Sequence, residues 1–214
     1  MSARPLSDGG ISIRPIRMRD ARALADELYG NRAWLQRWEA TDPQGPFRVD
    51  SRRLVRALLD GERQGTTLPY LIEYEGAVAG QLNVSAISYG SVGSASIGYW
   101  VAERFAGQGL TPTAVALATD YCFRRLGLHR IEICIRPENG PSLRVVAKLG
   151  FRYEGLRRRY IHIDGDWRDH FCFALVAEEV PEGVLRRWKE GRVDPAAARV
   201  PEEDVRAAQR PLGG

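Results

Sequence analysis

The chain has 214 residues, 44% of them apolar and 27% charged, with a formal net charge of +4. This is an ordinary globular balance, enough for one sizeable core and marginal for two. No run of about 18 apolar residues offers a membrane span, and the modest basic excess, clustered at Arg157-Arg158-Arg159 and Arg186-Arg187, does not read as a dedicated nucleic-acid module.

The opening MSARPLSDGG lacks the apolar core of a secretory signal, and residues 1–10 are expected to be flexible. Ile11–Ile16 alternates as a short edge-like strand with Pro15 near its end. Asp20 opens a helical pattern through Leu24 and Leu28. Residues 30–48 then carry Trp34, Leu35, Trp38, Pro43, Pro46 and Phe47 as irregular helix and loop. Ser51–Leu59 reads as a helix bounded by Gly61. Three β patterns follow at Leu68–Glu73, Ala77–Ile87 and Ala95–Val101, with a turn at Tyr89–Ser94.

Thr111–Leu126 has the strongest helical spacing, with Val115, Leu117, Ala118, Cys122, Phe123 and Leu126 on one side and Gly127 as the stop. Ile131, Ile133 and Ile135 alternate as a strand. Asn139 and Ser142 flank Gly140-Pro141 at the start of a second helix that ends at Gly150. Phe151–Glu154, Tyr160–Ile163 and Trp167–Val176 read as strands, the last two joined by a hairpin turn at Asp164-Gly165-Asp166. A short helix over 182–190 and a mobile tail from Gly191 complete the chain. Strands and helices in this order predict one mixed α/β domain with helices covering a curved sheet.

The segment Arg104-Phe105-Ala106-Gly107-Gln108-Gly109-Leu110-Thr111 joins a strand to the long helix. Glycines there let the backbone approach a phosphate, and the first helical N–H groups lack internal partners. A plain strand-to-helix turn needs the same glycines, so spacing alone leaves both readings open. Arg104 could meet a phosphate or simply be solvated. The loop lacks the Gly-Lys-Ser/Thr of a Walker motif, and Pro112 with its mid-chain position sets it apart from the dinucleotide fingerprint. Asn139 and Ser142 could cap their helix or turn toward the same ligand. Cys122, Cys134 and Cys172 have no zinc-like spacing, and three dispersed histidines make no metal pattern. No metal site is therefore expected, and buried free thiols fit a reducing cytoplasm.

Taken in order, Arg104–Leu110, Leu128-His129-Arg130-Ile131-Glu132, Pro137-Glu138-Asn139 with Ser142, and Leu149-Gly150-Phe151 with Glu154-Gly155 resemble the Gcn5-related N-acetyltransferases over roughly residues 11–177. Within that family the chain is most similar to the branch acting on the N-terminal alanine or serine of ribosomal proteins. The resemblance implies a curved mixed sheet of six to seven strands with a splayed parallel pair, here Ile97–Val101 and Ile131–Ile135. It gives an acetyltransferase domain at 11–177, a helical extension at 178–190 and a tail at 191–214.

It also implies acetyl-CoA as cofactor, with CoA as product. The diphosphate would lie on Arg104, Gly107, Gln108, Gly109, Leu110 and Thr111. The pantetheine arm would lie along Tyr99, Trp100 and Val101, with Asn139 and Ser142 nearby. Glu154 matches the glutamate proposed as general base, Glu103 is its rival, and Tyr160 is the candidate acid for the departing thiolate. Ile135 stands where some relatives carry a small polar residue, and it transfers no proton. The acceptor groove would draw on Trp34, Trp38, Phe47, His162 and Trp167, with His170 on the same hairpin. The acceptor is expected to be a protein N-terminus such as that of a ribosomal protein. A small-molecule amine and a non-catalytic acyl-CoA-binding module are the alternatives, and pairing into a homodimer is left open.

Overall fold

The computed structural model describes residues 4–45 and 50–210. Eight strands form one sheet in the order β1-β2-β3-β4-β5-β6-β8-β7: β1 (Leu6–Asp8), β2 (Ile11–Pro15), β3 (Leu68–Tyr74), β4 (Ala77–Ser88), β5 (Ser94–Val101), β6 (Arg130–Ile135), β7 (Arg152–Ile163) and β8 (Asp166–Val176). Every pairing is antiparallel except β5 with β6. The mixed sheet flanked by helices matches the expected architecture, with one strand more than anticipated. The additional strand is β1. Its three residues include two polar ones, too short an alternation to stand out, and it is held by pairing Leu6 to Ile13 across the Gly9-Gly10 turn.

The helices are α1 (Ala21–Gly30), α2 (Arg32–Leu35), α3 (Ser51–Arg63), α4 (Leu110–Arg125), α5 (Gly140–Leu149), α6 (Val184–Lys189) and α7 (Glu202–Gln209). Gly61 does not end α3, which continues to Arg63. A Cβ at Gly61 would stand 2.7 Å from Thr67 Oγ1, so the missing side chain admits the returning chain. Strand β3 is buried on both sides. Tyr70 and Ile72 join the main core under α4 and α5, while Leu71 packs with Ile16, Leu24 and Val55 beneath α1 and α3. Its apolar run is therefore continuous rather than alternating. Arg14 binds Asp20 through both Nη atoms (2.7 and 3.0 Å) and Glu73 through Nε (2.8 Å), fastening β2 to the start of α1.

Helix α4 lies centrally on the sheet, with Leu110, Ala114, Val115, Ala118 and Cys122 buried. Pro112 falls in its first turn, where no intrahelical donor is lost. Asp120 on its far side accepts from the N–H groups of Val184 (2.7 Å) and Leu185 (3.2 Å), capping α6. Asp120→Ala is expected to cost about 0.5–2 kcal/mol, the usual range for a lost cap. Amide hydrogen exchange at Val184 and Leu185 should speed up well before the sheet is affected, and unchanged protection there would contradict the assignment.

Two sequence expectations are corrected at the chain's C-terminal side. The strands read at 151–154 and 160–163 are one strand, β7, which bends through register shifts at Tyr153/Gly155 and Arg157/Ile161. The tail expected to be mobile instead contains α7, which docks on β7. Tyr153 donates its hydroxyl to Asp204 (2.7 Å), and Arg158 donates to the carbonyls of Ala207 (3.1 Å) and Arg210 (3.0 Å).

Candidate active site

Strands β5 and β6 share only the pairs Ser94–Arg130, Ala95–Ile131 and Ser96–Glu132. Beyond them β5 runs on to Val101 and β6 to Ile135 without pairing to each other, so the parallel pair opens into a fork. Backbone polar groups facing the gap need partners. On its other side β5 stays paired with β4 as far as Val101–Gly80. Gly80 makes this possible, because a Cβ there would lie 2.1 Å from the Trp100 carbonyl oxygen.

Two cavities meet at the fork and share Leu35, Trp38, Tyr99, Trp100, Asn139 and Ser142 as common walls. The outer one, about 470 Å³, runs from the start of α4 toward α5 and is lined by Gly107, Gly109, Leu110 and Thr111 among others. Gly107 and Gly109 have φ of +79° and +82°, a region that costs other residues about 1–2 kcal/mol. No atom lies within 4 Å of where their Cβ atoms would be. The N–H groups of Gly107 to Thr111 donate to no described residue. A left-handed glycine turn, open space and unpaired helix-opening amides together suit an anionic diphosphate.

The inner cavity, about 270 Å³, lies behind the fork. Gln81 and Asn83 of β4, Ile133 and Ile135 of β6, and Ile161, Ile163 and His170 of the β7–β8 hairpin surround it, with Trp38 and Glu39 closing the front. Gln81 donates through Nε2 to Asn83 Oδ1 (3.1 Å) and accepts from Trp100 Nε1 (3.4 Å). At the junction, Tyr99 Oη and Ser142 Oγ are 2.7 Å apart, and burial pushes the Tyr99 phenol up, so it stays protonated. Asn139 caps α5, its Oδ1 accepting from Ser142 N at 3.2 Å.

Of the residues expected along a cofactor, Tyr99, Trp100, Val101, Gly107, Gly109, Leu110, Thr111, Asn139 and Ser142 all line the outer cavity. Arg104 and Gln108 do not. Arg104 makes a two-pronged ion pair with Glu27 of α1 (2.7 and 2.5 Å), and Gln108 donates to the Arg104 carbonyl (2.9 Å). Trp34 and Trp38 both reach the site, and Trp34 Nε1 donates to the Val101 carbonyl (3.2 Å). The guanidinium groups of Arg37 and Arg136 both approach the Trp38 ring, at 4.5 and 5.5 Å from its centroid. Phe47 lies outside the described residues.

The expected acid–base residues are not at the fork. Glu154 is the extra residue of the first bulge in β7, skipped between the pairs Tyr153–Phe173 and Gly155–Cys172. Its carboxylate is clasped by Arg130 and by Arg152 Nη2 (2.9 Å). The Arg130 guanidinium holds that carboxyl below the usual range although burial opposes it. A paired, more acidic carboxylate off the cavity does not suit a general base. Glu103 sits in the turn at Glu103–Phe105, and neither cavity includes it. Tyr160 belongs to the second bulge and is 42% exposed. His162 turns away to Thr41, with Nδ1 to Oγ1 at 2.7 Å. Trp167 packs edge-on against His162 and borders a separate surface cleft with Arg158 and Arg168.

Cys134 borders the inner cavity, its sulfur 2.9 Å from Cys172 Sγ. Hydrogen bonding to that thiol, with burial, pushes Cys134 up, which is unfavourable for a nucleophile. Gln81 and Asn83 escaped sequence reading. Their only signal was two polar side chains, two residues apart, on the most buried stretch of β4. No helix among the described residues is long and apolar enough to cross a membrane, and no described His, Cys, Asp and Glu side chains cluster as metal ligands.

Residues 11–152 match the acetyltransferase (GNAT) domain model, about two thirds of the chain. The chain belongs to the GNAT acetyltransferase family. Among its relatives, this GNAT protein is 30% identical over 181 residues to the [ribosomal protein uS5]-alanine N-acetyltransferase of Escherichia coli, covering 83% of this chain and 93% of that protein. It is 37% identical to RimJ of Mycobacterium smegmatis, solved in complex with CoA-disulfide, at a TM-score of 0.80 over 89% of this chain and 94% of that one. The ribosomal-protein-S5-alanine acetyltransferase of Vibrio fischeri, 24% identical with a TM-score of 0.72 over 80% and 96% of the two chains, shares the fold.

Proposed function

We propose that this GNAT enzyme transfers an acetyl group from acetyl-CoA to the N-terminal amine of a protein, with an alanine or serine terminus and a ribosomal protein as the favoured acceptor. The observation that carries this reading is the junction of the two cavities at Tyr99 and Ser142. One cavity is suited to a long anionic carrier and the other to a short polar chain end. The relatives named above act on such termini or were solved with CoA, which supports the same assignment.

When bound, acetyl-CoA supplies an electrophilic thioester carbonyl and a thiolate leaving group. The amides of Gly107–Thr111 would hold its diphosphate at the positive end of α4. The unpaired edge of β5 beyond Ser96 would hydrogen-bond its amide-bearing arm. The Tyr99 and Ser142 hydroxyls stand at the fork as donors for negative charge developing on sulfur. Gln81 and Asn83 would orient the acceptor amine, while Trp38 and Leu35 exclude water. Holding both reactants together is worth at most about 7–11 kcal/mol of the barrier.

A polycationic small molecule is disfavoured. Among the described residues Glu39 is the only carboxylate on the inner wall, and Arg32 already occupies it at 2.5 Å. Thiol release should therefore depend on a free N-terminal alanine or serine in a peptide and vanish when that amine is blocked. Release with polyamines or aminoglycosides but not peptides would replace this acceptor assignment. Saturable acetyl-CoA binding without any acceptor-dependent release would make the protein a binding module.

A further inference from the structure

A protein α-amino group has a pKa of about 7.7–8.0, so near neutrality most of it is ammonium and has no lone pair for attack. The inner cavity must therefore offer a proton acceptor, and neither Glu154 nor Glu103 is on its wall. Its titratable wall residues are Glu39, Tyr99, Cys134, Arg136 and His170. Glu39 is paired with Arg32, the Arg136 guanidinium only donates, and Tyr99 and Cys134 are held protonated.

His170 differs from all of these. It is 3% exposed, and its Nδ1 lies 3.0 Å from the Arg168 carbonyl oxygen. A carbonyl only accepts, so Nδ1 carries the proton, and the neutral ring keeps its lone pair on Nε2. No described residue hydrogen-bonds Nε2. Tyr160 packs edge-on against the ring, with centroids 6.0 Å apart, and fixes its plane. Arg168 and Asp169 of β8, Arg157 directly opposite it on β7, Arg136 after β6 and Glu138 before α5 are charged groups around it. Burial, with Arg136 adding to it, pushes the imidazole down despite the carbonyl bond, Glu138 and Asp169. The ring is thus neutral at physiological pH.

We propose that His170 Nε2 accepts the proton of the acceptor ammonium in the inner cavity, an inference that rests on the acetyltransferase reading above. The N–H bond of the ammonium breaks and its electron pair stays on nitrogen as the attacking lone pair. An Nε2–H bond forms, giving imidazolium, and the proton passes to solvent as product leaves. The family resemblance pointed to Glu154, with Glu103 beside the glycine turn as its rival, whereas His170 reaches the site only through the pairing of β8 with β6 and β7.

The test compares wild type, His170→Gln and His170→Ala in the full chain, using a peptide acceptor the wild type acetylates. His170→Gln is expected to lower kcat by about 10²- to 10⁴-fold, the usual worth of a general base. Acetyl-CoA affinity by calorimetry should stay within about twofold, and the acid limb of the kcat/KM–pH profile, set by an imidazole below its ordinary pKa of about 6.5, should disappear. Added imidazole should restore part of the rate of His170→Ala. A loss under about fivefold with the acid limb retained overturns the proposal, as does a loss that tracks falling Tm and acetyl-CoA affinity with no imidazole rescue. With only His129, His162 and His170 present, nitrogen NMR of labelled histidine resolves the tautomer directly, independent of turnover. A ring protonated at Nε2 with Nδ1 bare, or charged at pH 7, contradicts the proposal. If wild type acetylates no amine at all, the acetyltransferase reading is what fails.

Discussion

Gly109→Val is expected to raise the Kd for acetyl-CoA by about ten- to hundredfold, with a smaller effect on stability. Gly109 immediately precedes α4 at φ +82°, and the space its side chain would occupy is open. A β-branched residue is strained there by about 1–2 kcal/mol and relieves the strain by rotating its peptide. That rotation turns the amides of Gly109 and Leu110 away from the outer cavity. Each hydrogen bond from an amide to a charged oxygen is worth about 1.5–3 kcal/mol, so losing one accounts for the expected range. Gly90→Val is the matched control. Gly90 has φ +73° with nothing within 4 Å, but it sits in the β4–β5 turn away from the cavity. Titration calorimetry should show weak binding for the first variant and normal binding for the second. Equal affinities would detach the diphosphate from this turn.

Gly80→Ala is expected to lower stability by about 1–3 kcal/mol and to weaken acetyl-CoA binding in the same protein. The added Cβ would stand 2.1 Å from the Trp100 carbonyl oxygen and 2.9 Å from Val101 Cα, both backbone atoms that no rotamer change can move. Strand β5 must shift away from β4, as overpacked sites do at roughly that cost. The shift falls on the residues that form the fork. Ala102 N donates to the Ala79 carbonyl at 2.8 Å, and Trp34 is anchored on the Val101 carbonyl, so the displacement reaches both cavities. Urea unfolding and calorimetry on the same sample check the pair of effects. A stability change within about 0.5 kcal/mol, the range of an ordinary surface substitution, would contradict the close-approach argument.

The fold was legible where sequence patterns are local. The α4 periodicity, the Asn139 cap and the Gly150 stop stand where their residue types place them, and the hairpin turn expected at Asp164-Gly165-Asp166 is there with Asp166 already the first residue of β8. So does the glycine turn at 107–109. The acid–base side of the site was not legible, because side-chain facing in β7 depends on bulges. The first shift inserts one extra residue, which turns the following residues to the other face, and the second inserts two, which re-aims the side chains within the bulge. The shift at Tyr153/Gly155 sends Glu154 to Arg130 and Arg152, and that at Arg157/Ile161 leaves Tyr160 outside while Ile161 and Ile163 face inward. Arg104 misled for another reason. Its partner Glu27 is 77 residues away and meets it only when α1 packs beside the loop. The tail's Ala-, Pro- and charge-rich composition hid α7, whose stability comes from Tyr153 and Arg158 on β7 rather than from its own sequence.

The most direct measurement is a crystal structure of the full chain with CoA and a peptide beginning in alanine. The diphosphate should lie on the amides of Gly107–Thr111, the pantetheine arm between the diverging ends of β5 and β6, and the peptide amine in the inner cavity beside Gln81, Asn83 and His170. A carrier bound elsewhere, or a peptide terminus outside the space behind Tyr99 and Ser142, would contradict the account.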